Sequence, residues 1–204
     1  MKKPIRVLAA VAVAVGFAFA VPNVKTKKQV TVVLDAAHGG KDFGSQRAGF
    51  IEKEIAAAVS DKIQELNQDV EVVFYETRPN DSFVSLGDRV KITNDIKPDL
   101  MISLHTNFTA KGDKSGVEVF FNDVNDNADK SKQYADKLAE AFIAKQYKAE
   151  VKRAPFYVLK YSQVPAIMLE MGYLSSEDDR KYLTTEDGQE AIAETVVEFV
   201  KQLK

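Results

Sequence analysis

The sequence of 204 residues contains no cysteine, no tryptophan and only two histidines. Without cysteine the chain forms no disulfide and offers no thiolate to a metal, so any metal must be bound by imidazole and carboxylate groups. Without tryptophan, an aromatic surface on which a sugar could stack must be built from phenylalanine or tyrosine. These absences restrict what a functional site in this chain can contain.

The chain also lacks an excess of positive charge. It has 28 basic and 30 acidic residues, a formal net charge of −2. Residues 1–20 contain three basic groups and no acidic one, so without them the balance is 25 basic against 30 acidic residues, or −5. Because proteins that bind nucleic acids normally present a basic surface, we expect no nucleic-acid partner.

The first 20 residues have the pattern of a secretory signal peptide. A basic segment ending at Arg6 precedes an apolar run over residues 7–19, and Ala18 and Ala20 are the small residues before a cleavage site at Val21. The run is shorter than the roughly 20 apolar residues that a membrane span needs. We expect a signal peptide over 1–20, a short polar leader over 21–28 and a catalytic domain over 29–204. Such a protein is exported, to a periplasm or out of the cell, and keeps no stable membrane span after cleavage.

Strand-like and helical patterns alternate along the rest of the chain. The strand candidates are short apolar runs at residues 30–35, 70–75, 100–104, 117–121, 156–159 and 166–169. Apolar residues recur at helical spacing from Ile55 to Leu66, from Ala135 to Phe142 and from Ile192 to Leu203. This alternation predicts a single α/β domain whose mostly parallel central β-sheet is flanked by helices.

Three chemically functional residues follow strand candidates. His38 comes shortly after the first strand, His105 directly follows Leu104, and Glu170 ends the apolar run that begins at Val164. The carboxyl ends of parallel strands meet at one edge of a sheet, where ligands bind in open α/β folds. A carboxylate at the end of a buried strand is costly to desolvate unless it is paired or faces a cleft. The pattern therefore predicts that these three residues share one site.

Two histidines and a carboxylate are an established ligand set for catalytic zinc, which keeps a further position open for water. Hydrolysis also needs a carboxylate that takes a proton from this water. The residue chemistry favours Glu170 as one carboxylate of the site. It leaves four acidic neighbours of the first histidine open as further candidates: Asp35, Asp42, Glu52 and Glu54. A serine nucleophile is not favoured, because no third histidine remains to act as its base.

Seven segments resemble, in the same order, the zinc-dependent N-acetylmuramoyl-L-alanine amidases of the amidase type 3 group. The first reads LDAAHGGKDFG over residues 34–44, and the last reads PAIMLEMGYLSS over residues 165–176. Between them lie the matching segments 49–53, 77–81, 86–89, 99–107 and 116–120. The resemblance covers essentially the whole chain after the predicted signal peptide.

The resemblance implies that His38, Glu52 and His105 bind Zn²⁺ and that Glu170 is the catalytic base. The implied reaction is hydrolysis of the amide between N-acetylmuramic acid and L-alanine in peptidoglycan. Two alternatives are a zinc peptidase or deacylase that acts on another amide, and a non-catalytic peptidoglycan-binding relative. We expect a monomer, and the sequence identifies no activator protein.

Some residues depart from the family pattern or have an open role. Ala36 and Ala37 replace the family's Pro-Gly before the first histidine, and an alanine at a position that needs positive φ would be strained. Asn107 is expected to orient His105 or to contact substrate. Three charged residues are expected to form ion pairs near the start of the next helix: Arg78, Asp81 and Arg89. The interval 118–160 shows one amphipathic helix and little else, which predicts an open cleft.

Overall fold

A computed structural model describes residues 29–204 of the chain. The predicted signal peptide (1–20) and polar leader (21–28) lie outside the described residues. The elements in chain order are β1 (Val30–Ala36), β2 (Gln46–Arg47), β3 (Phe50–Ile51), α1 (Glu52–Leu66), β4 (Val72–Glu76), α2 (Leu86–Ile96), β5 (Leu100–Asn107), β6 (Val117–Phe121), α3 (Ala128–Ala144), β7 (Ala149–Arg153), α4 (Tyr157–Lys160), β8 (Ala166–Tyr173), α5 (Glu177–Leu183) and α6 (Glu186–Lys201).

A six-stranded sheet with the order β4-β1-β5-β8-β6-β7 forms the centre of the fold. All neighbouring strands are parallel except β6 and β8, which are antiparallel. The short strands β2 and β3 form a separate antiparallel hairpin. The prediction of an α/β domain with a mostly parallel central sheet is confirmed.

Helices cover both faces of the sheet. Helices α1, α3 and α6 pack on one face, where they bury side chains such as Ile63, Phe142 and Phe199. Helices α2 and α4 cover the other face, where Met101 and Met168 of the sheet contact Val158. Side chains alternate between the two faces along each strand. Residues an even number of positions away from Met101 or Met168 on the same strand therefore point towards α2 and α4. His105 and Glu170 are two of these residues.

One predicted strand was wrong and one strand was missed. Residues 156–159 belong largely to the short helix α4, with Val158 and Leu159 buried side by side. A short apolar run does not by its periodicity distinguish a buried strand from a buried helical turn. The strand β7 was not predicted, because its sequence AEVKR is polar and charged, as is common for an edge strand. The interval 118–160 thus holds β7 and α4 in addition to β6 and α3.

None of the helices between residues 29 and 204 combines the length and the apolar character that crossing a membrane requires.

Candidate metal centre

A tight hairpin brings Glu52 back towards the end of β1. The turn residues Ala48 and Gly49 have φ values of 53° and 85°, and two positive φ values in a two-residue turn are typical of type I′ hairpins. The hairpin leads directly into α1, whose first residue is Glu52. The Ser45 amide donates to Glu52 Oε2 at 2.8 Å, and the Glu52 amide donates to the Ser45 carbonyl at 2.9 Å. These bonds fix the carboxylate at the start of the helix.

The strand ends supply the other groups of the site. His105 lies in β5 and is in direct register with Glu170 of the parallel strand β8. Glu170 is also in register with Glu118 of β6 on its other side. Register partners on neighbouring strands point to the same face of the sheet. The imidazole and both carboxylates therefore face the layer formed by α2 and α4.

His38, Glu52 and His105 converge on one point, and we call these three residues the His₂Glu centre. Glu52 Oε1 lies 3.2 Å from His38 Nε2 and 3.0 Å from His105 Nδ1. One donor atom from each of the three residues lies within 4.8 Å of the other two. On its far side, His38 Nδ1 lies 2.9 Å from Asp42 Oδ2. Of the open neighbours of His38, Glu52 thus joins the centre, Asp42 supports His38 from behind and Glu54 is exposed on α1.

The charges of the His₂Glu centre stabilise one another in the metal-free protein. Burial opposes protonation of His38, but the hydrogen bonds and charges of Glu52 and Asp42 outweigh this and raise its pKa to about 9. Burial likewise opposes ionisation of Glu52, yet the two imidazoles hold the pKa of this carboxyl well below its usual range. The centre therefore has a fully ionised carboxylate directed at two nitrogen donors.

Glu170 has a different environment from Glu52. Its side chain is buried, and among the described residues its Oε2 has no hydrogen-bond partner. Burial is the main cause that raises the pKa of Glu170 to about 7, and the charges of Glu52 and Glu118 add to the effect. Glu118 itself accepts hydrogen bonds from Tyr173 Oη at 2.6 Å and from Lys152. A carboxyl group that exchanges its proton near neutral pH thus lies beside the His₂Glu centre.

Two buried arginines hold the loop that carries His38. Arg89 of α2 pairs with Asp35 at 2.6 Å and donates to the carbonyls of Ala36 and His38. Arg78 donates to the carbonyls of Ala36 and Ala37 at 2.9 and 3.0 Å. Neither arginine pairs with Asp81, which binds Lys53 at 2.7 Å. The predicted ion pairs thus form for Arg89 and Asp81, but with Asp35 and Lys53 as partners, whereas Arg78 binds main-chain carbonyls.

The expected strain at Ala36 and Ala37 was wrong. Both alanines are buried, and neither is among the described residues with positive φ. Positive φ begins instead at His38, with 58°, and continues through Gly39 and Gly40. The backbone at Ala36 and Ala37 therefore does not require glycine in this chain, and the sharp turn lies at the histidine itself.

Other residues near the site have roles that the sequence did not indicate. Asn107 donates to Glu118 Oε2 at 3.0 Å and not to His105, and its contact with substrate stays a prediction. Asp35 accepts from Ser103 Oγ at 2.8 Å in addition to Arg89, so this serine has a polar partner in the core. Because these pairs lie on separate elements, no local pattern in the sequence connects them.

The fold and the site together define an α/β protein with a His₂Glu centre at the carboxyl edge of a mostly parallel sheet. A family model described as N-acetylmuramoyl-L-alanine amidase matches residues 32–202. The chain belongs to this family.

Individual relatives agree with the family. The Bacillus subtilis protein YqiI, described as uncharacterized, is 30% identical over 82% of this chain and 81% of its own length. The N-acetylmuramoyl-L-alanine amidase LytC of Bacillus subtilis is 28% identical over 75% of this chain. The solved catalytic domain of CwlV, an N-acetylmuramoyl-L-alanine amidase from Bacillus (Paenibacillus) polymyxa var. colistinus, is similar with a TM-score of 0.78 and 28% identity. That similarity covers 86% of this chain and 98% of the CwlV domain.

This chain matches only part of some relatives. The match spans 31% of the length of LytC, whereas it spans nearly all of the CwlV catalytic domain. The similarity to LytC therefore concerns one domain of a longer protein.

Proposed function

We propose that this chain is a zinc-dependent amidase that hydrolyses the bond between N-acetylmuramic acid and L-alanine in peptidoglycan. The observation that carries the proposal is the approach of His38 Nε2 and His105 Nδ1 to the same oxygen of Glu52, beside the buried carboxyl of Glu170. Membership of the amidase family supports this amide as the substrate.

The His₂Glu centre fits zinc in number and in chemistry. Two imidazole nitrogens and a carboxylate oxygen form a known catalytic zinc set, and in this chain they lie within 4.8 Å of one another. The hydrogen bond between His38 Nδ1 and Asp42 leaves Nε2 as the nitrogen free to bind the ion. The bond from the Ser45 amide to Glu52 Oε2 likewise keeps Oε1 directed at the imidazoles. His38, Glu52 and His105 would therefore hold the metal.

Glu170 is proposed as the catalytic base. When bound, zinc supplies Lewis acidity that polarises a carbonyl group and lowers the pKa of water to about 7. Glu170 Oε2 is without a hydrogen-bond partner among the described residues, so it is available to accept the proton of the attacking water. A carboxyl group whose pKa is raised by burial also holds this proton well enough to donate it to the leaving amine. Glu170 would thus act first as base and then as acid.

We also propose that residues 1–20 are a cleaved signal peptide, that residues 21–28 are a polar leader and that residues 29–204 form the catalytic domain. The basic, apolar and small-residue pattern of the first segment supports this division. Because peptidoglycan lies outside the cytoplasmic membrane, the enzyme would act in the periplasm or at the cell exterior. We propose that it acts as a monomer. Amino-terminal sequencing of the secreted protein tests the division, with Val21 as the expected first residue.

Digestion of purified muropeptides tests the proposed reaction. Wild type loaded with zinc should release a peptide with a free L-alanine amino terminus, identified by mass spectrometry. Glu170→Ala should still bind one zinc ion but lose activity by roughly 100-fold or more, as expected for a general base. A chelator should abolish the activity of wild type, and added zinc should restore it.

The same experiment distinguishes the alternatives. A product cleaved at another amide would identify a peptidase or deacylase instead. Retention of all activity in Glu170→Ala would refute the role of this residue. If the protein binds muropeptides but binds no zinc and releases no product, it is a non-catalytic relative.

A further inference from the structure

A cavity of about 410 Å³ lies beside the His₂Glu centre, between α2 and α4. Its volume is within the range of about 300–1,000 Å³ that is usual for small-molecule sites. His38, His105 and Glu170 contribute to its lining. A group bound in this cavity would therefore be adjacent to the reacting bond of a substrate.

One side of the cavity is formed by four large apolar side chains, which we call the apolar wall: Phe83, Leu86, Phe156 and Tyr157. These residues are exposed by 49, 54, 37 and 45%, respectively, although they line a concave surface. Exposed apolar side chains grouped in a concavity are typical of ligand sites. The apolar wall thus offers uncovered apolar surface to a bound ligand.

The aromatic rings of the apolar wall are held by neighbours. The ring of Phe156 contacts the ring of Phe120 edge to face at 5.2 Å between centroids. The ring of Tyr157 lies 4.5 Å from that of Tyr161. Rings fixed in this way lose little conformational freedom when a ligand stacks on them.

The charged groups of the cavity lining lie around the His₂Glu centre, and outside the lining Lys41 Nζ is 4.9 Å from the centre of the Phe83 ring. Apart from the histidines of the His₂Glu centre, Arg89 is the only cationic residue among the described residues of the lining. Its guanidinium is buried and bound to Asp35 and to main-chain carbonyls. Asp42 of the lining is likewise paired with His38, so these charges compensate one another. A charged group placed against the uncharged side chains of the apolar wall would have to be desolvated. A neutral group is the better fit.

We propose that the apolar wall binds the N-acetylmuramoyl sugar of the substrate, an inference that rests on the proposed function. The scissile amide joins this sugar, through its lactyl group, to the stem peptide. In the intact amide the sugar is neutral and presents apolar ring faces and methyl groups, whereas the stem peptide carries carboxylates. The apolar character of the wall therefore assigns the neutral sugar to the cavity and the charged stem peptide to the surface outside it. The wall supplies phenylalanine and tyrosine for stacking in a chain that has no tryptophan.

Two substrates that differ only in the sugar test this assignment. One is N-acetylmuramoyl-L-alanyl-D-isoglutamine, and the other is the same dipeptide acylated with lactic acid alone. Phe83→Ala and Tyr157→Ala should raise KM for the first substrate about five- to tenfold, with little change in kcat. Neither variant should change KM for the lactyl peptide. Tyr75→Ala is the matched control, since Tyr75 is 47% exposed on the edge strand β4 and belongs to no part of the cavity lining.

An equal rise in KM for both substrates would overturn the assignment, because the wall would then act on the peptide or on the fold. Unchanged KM values for both substrates would overturn it as well. Retained far-ultraviolet circular dichroism in the variants shows that they are folded.

A binding measurement separates this inference from the proposed reaction. The probe is the neutral methylamide of N-acetylmuramic acid, titrated calorimetrically into zinc-loaded Glu170→Gln protein. Adding Phe83→Ala or Tyr157→Ala to this protein should weaken binding about five- to tenfold, and adding Tyr75→Ala should leave it unchanged. If wild type cleaves neither dipeptide, the proposed reaction fails while this titration still reports on the cavity. Binding that is absent, or equal in all variants, would overturn the inference.

Discussion

His105 and Glu170 lie side by side, in register, on the parallel strands β5 and β8. The pairing places a nitrogen donor of the His₂Glu centre on the same face of the sheet as a buried carboxyl whose Oε2 has no hydrogen-bond partner within residues 29–204. Neither residue needs a long loop to reach the site, so their relative position is set by the hydrogen bonds of the sheet. This rigidity is useful for a base that must be aligned with a metal-bound reactant.

The buried carboxyl of Glu170 should make the metal-free protein less stable at higher pH. Its pKa is about 7 in the folded protein and 4.5 for an exposed glutamate, so the folded state holds a proton that the unfolded chain releases. Its contribution to stability is therefore fully present below pH 4.5 and is lost as the pH rises through 7. Glu170→Gln has no such loss. The free energy of unfolding of the variant minus that of wild type should therefore be about 3 kcal/mol larger at pH 8 than at pH 4.5.

Urea unfolding in the presence of a chelator measures this difference. Wild type and Glu170→Gln should be closest in stability at the acidic end of the range. A difference in unfolding free energy that stays constant from pH 4.5 to 8 would contradict the buried, unpaired state of this carboxyl.

Metal affinity should depend on pH through His38. Despite the opposing effect of burial, Glu52 and Asp42 raise the pKa of His38 to about 9 in the metal-free protein, so its imidazole is protonated at neutral pH. A metal binds only the neutral imidazole, and binding must therefore displace a proton. The apparent affinity for zinc, measured by competition with a chelator, should rise about tenfold per pH unit between pH 7 and 9 and then level off. An affinity that is constant over this range would show that His38 is already neutral.

The alternation of strands and helices was sufficient to predict the fold, because each strand and helix of the core has its own hydrophobic pattern. The prediction failed where this pattern is short or absent. Residues 156–159 are apolar but too few to show a period, and β7 is an edge strand whose exposed side chains are charged. One error concerns a short helix on the face of the sheet and the other an edge strand, and in both cases tertiary contacts decide the local conformation.

The site could be predicted in part from strand ends alone. His38, His105 and Glu170 follow apolar runs, and the topology of a parallel sheet brings them together. Glu52 could not be chosen in this way, because its position depends on a hairpin turn with positive φ at Ala48 and Gly49. Only the resemblance to the family distinguished it from its acidic neighbours. Contacts between distant segments, such as Asp35 with Arg89, leave no local pattern at all.

Removing one partner of the ion pair between Asp35 and Arg89 should destabilise the fold strongly. Both side chains are almost fully buried, with 2% and 3% of their surface exposed. Asp35→Asn would leave a buried guanidinium without its counter-charge and should lower the free energy of unfolding by roughly 3–5 kcal/mol. The surface pair of Lys91 and Asp95 is the control, since both residues are more than half exposed. Asp95→Asn should leave the urea midpoint unchanged, and an equally small effect of Asp35→Asn would contradict the prediction.

Gly44 should be required for metal binding because it lies against two residues of the His₂Glu centre. A Cβ atom at this position would lie 2.5 Å from His38 Cδ2 and 2.6 Å from Glu52 Oε2, so Gly44→Ala must displace both side chains. We expect zinc affinity to fall roughly 10–100-fold, the range seen when the surroundings of metal ligands are disturbed. Gly49→Ala is a close control, because Gly49 also has positive φ but a Cβ there would meet nothing within 4 Å. It should lower stability by about 1 kcal/mol and leave zinc affinity unchanged. Equal zinc affinities for the two variants would contradict the predicted role of Gly44.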